Sequence, residues 1–200
     1  MKKIIQGKVR EVYEISDKEL VVVTTDRLSA FDVILPTPVP EKGIVLNKLS
    51  SFWFNLTKDI VPNHMISEDL KDMPAEFQKP EFEGRTILVK KLKMLPYEFI
   101  IRGYVFGSMW KAYKAGEPFC GHKIEGDYKL AQKLEKPILT PSTKSSEGHD
   151  VNISIEEMKA DVGEALAEQI EDVCLKLFDR CCTYAAEKGI IIADTKLEFG

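Results

Sequence analysis

SIEEMKADVGEALAEQIEDVCLKLFDRCCTYAAEKG, residues 154–189, runs straight into IIIADTKLEFG, residues 190–200. The first stretch reads as one helix over 155–188. Ser154 stands where an N-cap belongs, and Glu157 follows three residues later, the pattern of a capping box. Val162, Leu166, Ile170, Val173, Leu177, Cys181 and Tyr184 recur every three or four residues, an amphipathic stripe. Gly189 suits the left-handed position that ends a helix. IIIAD then reads as a buried strand leading into DTKLEFG.

Outward from this end, the first half reads as strands and turns. Val9 to Ile15 and Glu19 to Thr25 fit a hairpin about Ser16-Asp17-Lys18, with β-branched Val21, Val22 and Val23 in its second arm. DRLSAFDVILPTPVPEKG, with three prolines and a glycine, reads as loop. Leu46, Leu49, Trp53, Leu56 and Ile60 are spaced for one face of a helix over 46–60, which Pro62 stops. Arg85 to Leu92 and Glu98 to Phe106 read as two further strands, and Gly107 to Ala115 as a short helix. From Phe119 to Asp150 no period stands out, apart from a short helical stretch near Leu130 to Leu134.

Composition sets bounds. Two hundred residues, 44% hydrophobic and 30% charged, suit one globular domain or two small lobes. A net charge of -4 gives no reason to expect nucleic acid as partner. The start lacks the apolar core of a signal peptide, and no apolar run reaches membrane-spanning length. Cys120, Cys174, Cys181 and Cys182 include no CxxC pair, which favours reduced, mostly buried thiols over disulfides or zinc.

Several familiar chemistries have no motif here: there is no GxxxxGK[ST], no GxGxxG after a strand, no HExxH and no GxSxG. Other segments carry candidate chemistry, each with a plainer alternative. QGKVREVYE, residues 6–14, puts Gly7, Lys8 and Arg10 at the head of a strand, either a triphosphate cradle or a solvated edge. DRLSAFD, residues 26–32, holds acids, an arginine and Ser29, suited to bind hydroxyls or amines or simply to cap its own turn. EFIIRGYVFGS, residues 98–108, buries Arg102 in an apolar strand, where it meets either a core carboxylate or a phosphate. Ser108 then lies at a helix N-terminus, a natural anion site. DTKLEFG alternates Asp194, Lys196 and Glu198 on one strand face against Leu197 and Phe199 on the other. Carboxylates beside phosphates usually hold Mg²⁺, and a lysine between them could neutralise a substrate carboxylate. TPSTKSSEGHDVNIS, residues 140–154, is either a solvated linker or a substrate loop anchored at one end by the Ser154 cap.

Taken in order, GKVREVYE, DRLSAFD, KKLKMLPYEFIIRGYVFGS, PSTKSSEGHDVNIS and IIADTKLEFG resemble the phosphoribosylaminoimidazole-succinocarboxamide synthase (SAICAR synthetase) family over essentially the whole chain. The resemblance implies an α+β fold of two lobes, related to ATP-grasp and kinase-like architectures, with ATP in the cleft between them. The lobes would span residues 1–92, mostly antiparallel β and nucleotide-binding, and 93–200, α+β with the substrate and metal site. It implies a cytoplasmic ligase of purine biosynthesis that joins the carboxylate of CAIR, a carboxylated aminoimidazole ribotide, to the amine of L-aspartate. ATP becomes ADP and phosphate through an acyl phosphate. It further implies that Gly7, Lys8 and Arg10 line the triphosphate and that Val89, Lys91, Leu92 and Met94 form an adenine hinge. Asp32, with Ser29 in the same loop, would bind the CAIR headgroup, and Arg102 and Ser108 its 5′-phosphate. Glu198 would ligate Mg²⁺ with Lys196 near the substrate carboxylates, and Lys144, His149 and Asp150 would supply substrate contacts, Asp150 orienting the aspartate amine.

Small molecules are then the expected partners, with no nucleic acid and no membrane; the sequence leaves the oligomeric state open, a homodimer included. An end on a charged strand and a glycine looks like half a hairpin, so a continuation past Gly200 is expected, carrying a second metal carboxylate and another arginine by the same resemblance. Two alternatives stand beside the ligase: a kinase-like phosphotransferase, and an ATP-binding fragment without turnover.

Overall fold

A computed structural model describes residues 2–31, 33–144 and 151–200. The chain divides into two compact units, Met1–Lys93 and Met94–Gly200.

The first unit is built on five antiparallel strands: β1 (Lys2–Gln6), β2 (Arg10–Glu14), β3 (Glu19–Thr24), β6 (Met65–Ser67) and β7 (Thr86–Lys90), in the order β1-β2-β3-β7-β6. A small hairpin of β4 (Ser29–Ala30) and β5 (Val33–Ile34) lies apart from that sheet. Tyr13, Val21 and Leu88 are in register across three strands. That face packs against Met73, Phe77 and Phe82, which three short 3-10 turns between β6 and β7 bring over the sheet. The expected hairpin is present as β2 and β3; β1 was not expected, because KKIIQ is an exposed edge without alternation.

Helix α1 (Lys42–Thr57) starts a turn before the expected 46–60, and it turns a different face inward. Its buried residues are Gly43, Asn47, Ser51 and Thr57, while Leu49 is 48% exposed. Close approach to backbone explains the inversion. A Cβ on Gly43 would stand 2.3 Å from the Thr24 carbonyl oxygen, and the Asn47 amide donates to the Gly84 carbonyl at 3.2 Å. Only small or hydrogen-bonding side chains fit so near main chain. The Gly43 N–H also donates to Asp26 Oδ1 at 2.8 Å, the first cause of the lowered Asp26 pKa, with Arg85 adding to it.

The second unit has a three-stranded antiparallel sheet, β8 (Tyr97–Tyr104) in the centre, β10 (Asp194–Leu197) on one side and β9 (Lys133–Thr143) on the other. One face of the sheet, with Tyr97, Phe99, Ile101 and Leu139, is buried with Met158, Ala167, Ile170, Cys174 and Phe178 of helices α3 (Ile155–Val162) and α4 (Glu164–Ala186). Helix α2 (Gly107–Ala115) contributes Met109 to a separate cluster with Val105, Phe119, Cys120 and Leu134. Burial raises the Cys174 thiol to about 12 and the Cys120 thiol to about 11.

Three expectations are corrected here. The single helix over 155–188 is two, broken at Gly163, whose φ of 89° lies where glycine alone is at ease. The break re-phases the buried face to Ala167, Ile170, Cys174, Leu177 and Phe178, which leaves Leu166 exposed. The capping box of Ser154 and Glu157 is present, and Gly189 has φ 72°. IIIAD is not a buried strand: Ile191 is 73% exposed, and the strand begins at Asp194. Residues 133–143 form an 11-residue strand where a short helix at 130–134 was expected. Pro137 and Pro141 hide it, and they are tolerated because β9 is an edge strand.

Gly43→Ala should destabilise the protein by about 3 kcal/mol, near the upper end of overpacking costs. Chemical denaturation measures it; a loss below about 1 kcal/mol would mean that α1 moves away from Thr24 freely.

Candidate functional site

In the first unit, Gly7 and Lys8 form the turn from β1 to β2, and Arg10 opens β2 with its side chain exposed. The Gly7 N–H donates to the Arg10 carbonyl at 2.8 Å, and a Cβ on Gly7 would stand 3.2 Å from that oxygen. Arg27 braces the turn. Its Nη2 donates to the Gly7 carbonyl at 3.0 Å, its Nε to the Lys8 carbonyl at 3.1 Å, and its Nη1 to Glu11 at 3.0 Å. Glu11 also accepts from the Tyr13 hydroxyl at 2.6 Å and pairs with Lys3 at 2.9 Å. These contacts, the Tyr13 hydroxyl first, hold its carboxyl down at about 2. With its carbonyls held by one planar cation, the turn can offer an anion its backbone and the exposed Lys8 and Arg10 side chains.

Other expected residues, in this unit and just beyond it, sit differently. Val89 lies inside β7 between β3 and β6, with its side chain buried. The Lys91 ammonium is paired with Glu14 at 2.8 Å. Leu92 and Met94, in the segment between β7 and β8, expose apolar surface. Ser29 is half-buried in β4, opposite Ile34. Asp32 lies outside the described residues, as do His149 and Asp150.

The second unit gathers the rest on one face of its sheet. Side chains alternate along β8, so Glu98, Ile100 and Arg102 stand opposite the core face. Across the ladders their partners are Ser142, Thr140 and Ile138 on β9, and Lys196 and Asp194 on β10, opposite Ile100 and Arg102. Lys196 Nζ meets Glu98 Oε1 at 2.7 Å, and Glu98 is 7% exposed. Lys144 Nζ meets Glu198 Oε2 at 2.5 Å. Arg102 donates from Nε to Thr140 Oγ1 at 3.1 Å, lies 3.6 Å from Asp194, and stacks its guanidinium 5.3 Å from the Phe119 ring centre. Of the two readings of Arg102, the carboxylate is thus present, at a distance long for a tight pair and on an exposed partner.

Ser108 is exposed in the first turn of α2, three residues past Val105 at the end of the strand region. The N-cap of α2 is Phe106, which makes no side-chain cap, so the first-turn N–H groups are available to an anion. Among the described residues no group of three or more His, Cys, Asp or Glu side chains could hold a metal ion. Glu198 therefore offers one carboxylate, which suits Mg²⁺ when phosphate oxygens and water complete the shell.

The profile of the SAICAR synthetase family matches residues 3–200. The chain belongs to that family. The phosphoribosylaminoimidazole-succinocarboxamide synthase of Geobacter sulfurreducens is 52% identical over 198 residues, covering 98% of this chain and 67% of that protein. That of Maridesulfovibrio salexigens is 47% identical over 203 residues, covering 100% and 68%. Among solved structures, the SAICAR synthase of Saccharomyces cerevisiae complexed with SAICAR superposes with a TM-score of 0.91 at 42% identity, covering 100% of this chain and 68% of that one. A SAICAR synthetase in complex with ADP gives 0.78 at 27% identity, covering 98% and 74%. The chain spans about two thirds of the length of the first three of these relatives.

Within the family frame, four residues that the sequence reading passed over belong to these clusters: Glu11 and Arg27 in the first unit, Glu98 and Ser142 in the second. Glu98 had a legible signal, since in EFIIR it lies four residues before Arg102 on the same strand face. Arg27 was noted only as the arginine of DRLSAFD, because its role depends on the fold bringing it to the Gly7 turn.

Glu11→Gln should lower the melting temperature at neutral pH by roughly 2–4 °C, the shift for about 1 kcal/mol in a chain of this size. The folded Glu11 carboxyl titrates near 2 rather than its ordinary 4.5. Its stabilisation is therefore present above about 4.5 and is lost as the pH falls toward 2. Melting curves of parent and variant should converge over that window, and a gap constant from pH 7 to 2 would rule out the charged network as its source.

Proposed function

We propose that this chain carries the activity for which its relatives are named: ATP-dependent ligation of CAIR and L-aspartate to SAICAR, with release of ADP and phosphate. The observation that supports it is the near-complete correspondence of the chain with synthases of that name, at 47% to 52% identity. Small molecules are the partners on this reading, and a cytoplasmic setting goes with it.

A carboxylate is a poor acyl donor, so the reaction is best divided in two. A carboxylate oxygen of CAIR attacks the γ-phosphorus of ATP, and ADP leaves. The aspartate amine then attacks the acyl carbon, loses a proton, and expels phosphate carrying the former carboxylate oxygen. Positioning and charge neutralisation are what the protein must supply. In the first unit, the Arg27-braced turn of Gly7 and Lys8, with Arg10, holds the triphosphate, and Leu92 gives apolar contact to the adenine. Val89 serves there as a rigid, buried support.

In the second unit, Arg102 and Ser108 at the α2 N-terminus take the phosphate of CAIR, and Lys196 faces the substrate carboxylates. Glu198, which now meets the Lys144 ammonium, would hold Mg²⁺, and the ion would supply screening of the charge on the phosphates. His149 and Asp150 are further substrate contacts of this unit, and Ser29 and Asp32 are those of the first.

The test is product dependence with ATP and CAIR supplied. ADP should form only when L-aspartate is present; equal ADP release without it favours a phosphotransferase. Arg102→Ala should raise the KM for CAIR about 10- to 100-fold, the loss of one charge-assisted contact, and leave that for ATP within about twofold. An equal rise for both substrates would assign Arg102 to structure.

A further inference from the structure

The reading of Lys196 as the cation facing the substrate carboxylates leaves open what aims it. Its strand partner is Ile100, so an unconstrained side chain would stand at the level of that residue. Its ammonium instead reaches diagonally to Glu98, two residues along β8, at 2.7 Å. A diagonal neighbour on a sheet lies about 7–8 Å away at the backbone, within reach of a long side chain directed along the sheet. Leu197 pairs with Phe99, and continuing that register puts Glu198 at the level of Glu98. The Lys196 ammonium is thereby drawn out of its own row and into the row of the two glutamates.

The two partners differ in access. The Glu98 side chain is 9% exposed, whereas that of Lys196 is 51% exposed. The carboxylate is sunk in the sheet, so it does not itself meet a ligand, and the cation keeps half of its surface open. Beside Glu98 in the ladder, the hydroxyl of Ser142 is buried and has no hydrogen-bond partner among the described residues. Ser142 therefore does not share the carboxylate. The Lys196 ammonium is the one cation paired with Glu98 among the described residues. A buried carboxylate is costly unless it is paired, so the penalty of leaving Glu98 buried and alone holds Lys196 to one place.

We propose that Glu98 is a positioning residue of the ligase site, fixing the Lys196 ammonium beside Glu198 and acting on the reaction only through Lys196. The inference rests on the function proposed above. It predicts coupling between the two residues rather than mere loss of activity. Glu98→Gln keeps the shape and removes the charge. It should lower kcat/KM about 100-fold, and Lys196→Met should lower it at least as far. The double variant should be within about twofold of Lys196→Met alone, because a positioning residue has nothing left to position. Effects that act through folding would multiply instead.

Should Glu98→Gln fold poorly, Glu98→Asp keeps the charge but retracts it by one methylene. It should then show the same non-additivity with a smaller loss, about 10-fold. Losses that multiply in the double variant, or a Glu98→Gln enzyme within threefold of the parent while Lys196→Met is impaired, would overturn the role of Glu98 alone. A Lys196→Met enzyme at the parent rate would instead remove the reading of Lys196, and this inference with it.

Discussion

The two-residue side-chain period of β8 is the constraint from which the second unit follows. Tyr97, Phe99 and Ile101 point one way and are buried against helices α3 and α4; Glu98, Ile100 and Arg102 point the other. A slip of one residue would send a glutamate and an arginine into the apolar core and expose three large hydrophobic side chains. The core thus pins the register, and the register places every charge of the opposite face. Asp194 falls beside Arg102, Lys196 beside Ile100, and Ser142 beside Glu98 with no freedom for adjustment. Gly103 on the core side of the same strand shows how closely that register is enforced: a Cβ there would stand 3.0 Å from the Phe178 ring.

Such a face is an expensive surface to maintain. Two glutamates at one level repel, and each is served by its own ammonium, Glu98 by Lys196 and Glu198 by Lys144. Exposed ion pairs contribute little to stability, and half-buried ones lose much of their attraction to desolvation. Stability is therefore a poor reason for this arrangement. What ion pairs of this kind do supply is fixed direction: charges already oriented before a substrate arrives need no reorganisation during reaction.

The sequence disclosed these features unevenly, for physical reasons. Arg102 was legible because a lone guanidinium in an apolar strand must find a partner, and the Ser154–Glu157 capping box because it depends on four consecutive residues. The alternation of DTKLEFG was likewise local: it set Leu197 and Phe199 on the face away from the charges, and both pack against the core. Nonlocal causes hid the rest. The inward face of α1 was set by how closely Gly43 and Asn47 approach foreign backbone, so its leucine stripe misled. Gly163 breaks the helical period that runs through it. Strand β9 carried two prolines that only its edge position excuses. The face of Glu98 could be read from the period of β8, but its pairing with Lys196 required knowledge of which strand lies next to it.

The two units use the same device at different ends of a cation. In the first, Glu11 is held ionised by Tyr13, Lys3 and Arg27, and Arg27 gives two further donors to the carbonyls of Gly7 and Lys8. Arginine suits that task, since its planar fork grips several acceptors in one geometry. In the second, Glu98 holds a lysine, a compact charge on a flexible stem, and leaves half of that side chain open. On the proposed function, the choice of cation matches what must be presented. A glycine turn presents backbone, so its brace should be consumed wholly in internal bonds. A site for a substrate carboxylate presents the cation itself, so its anchor must bind from below and leave the outward side of the ammonium unspent. An arginine at position 196 would retain the charge, yet its fork could satisfy Glu98 with two donors and turn its plane toward the sheet, directing less of its hydrogen-bonding capacity outward.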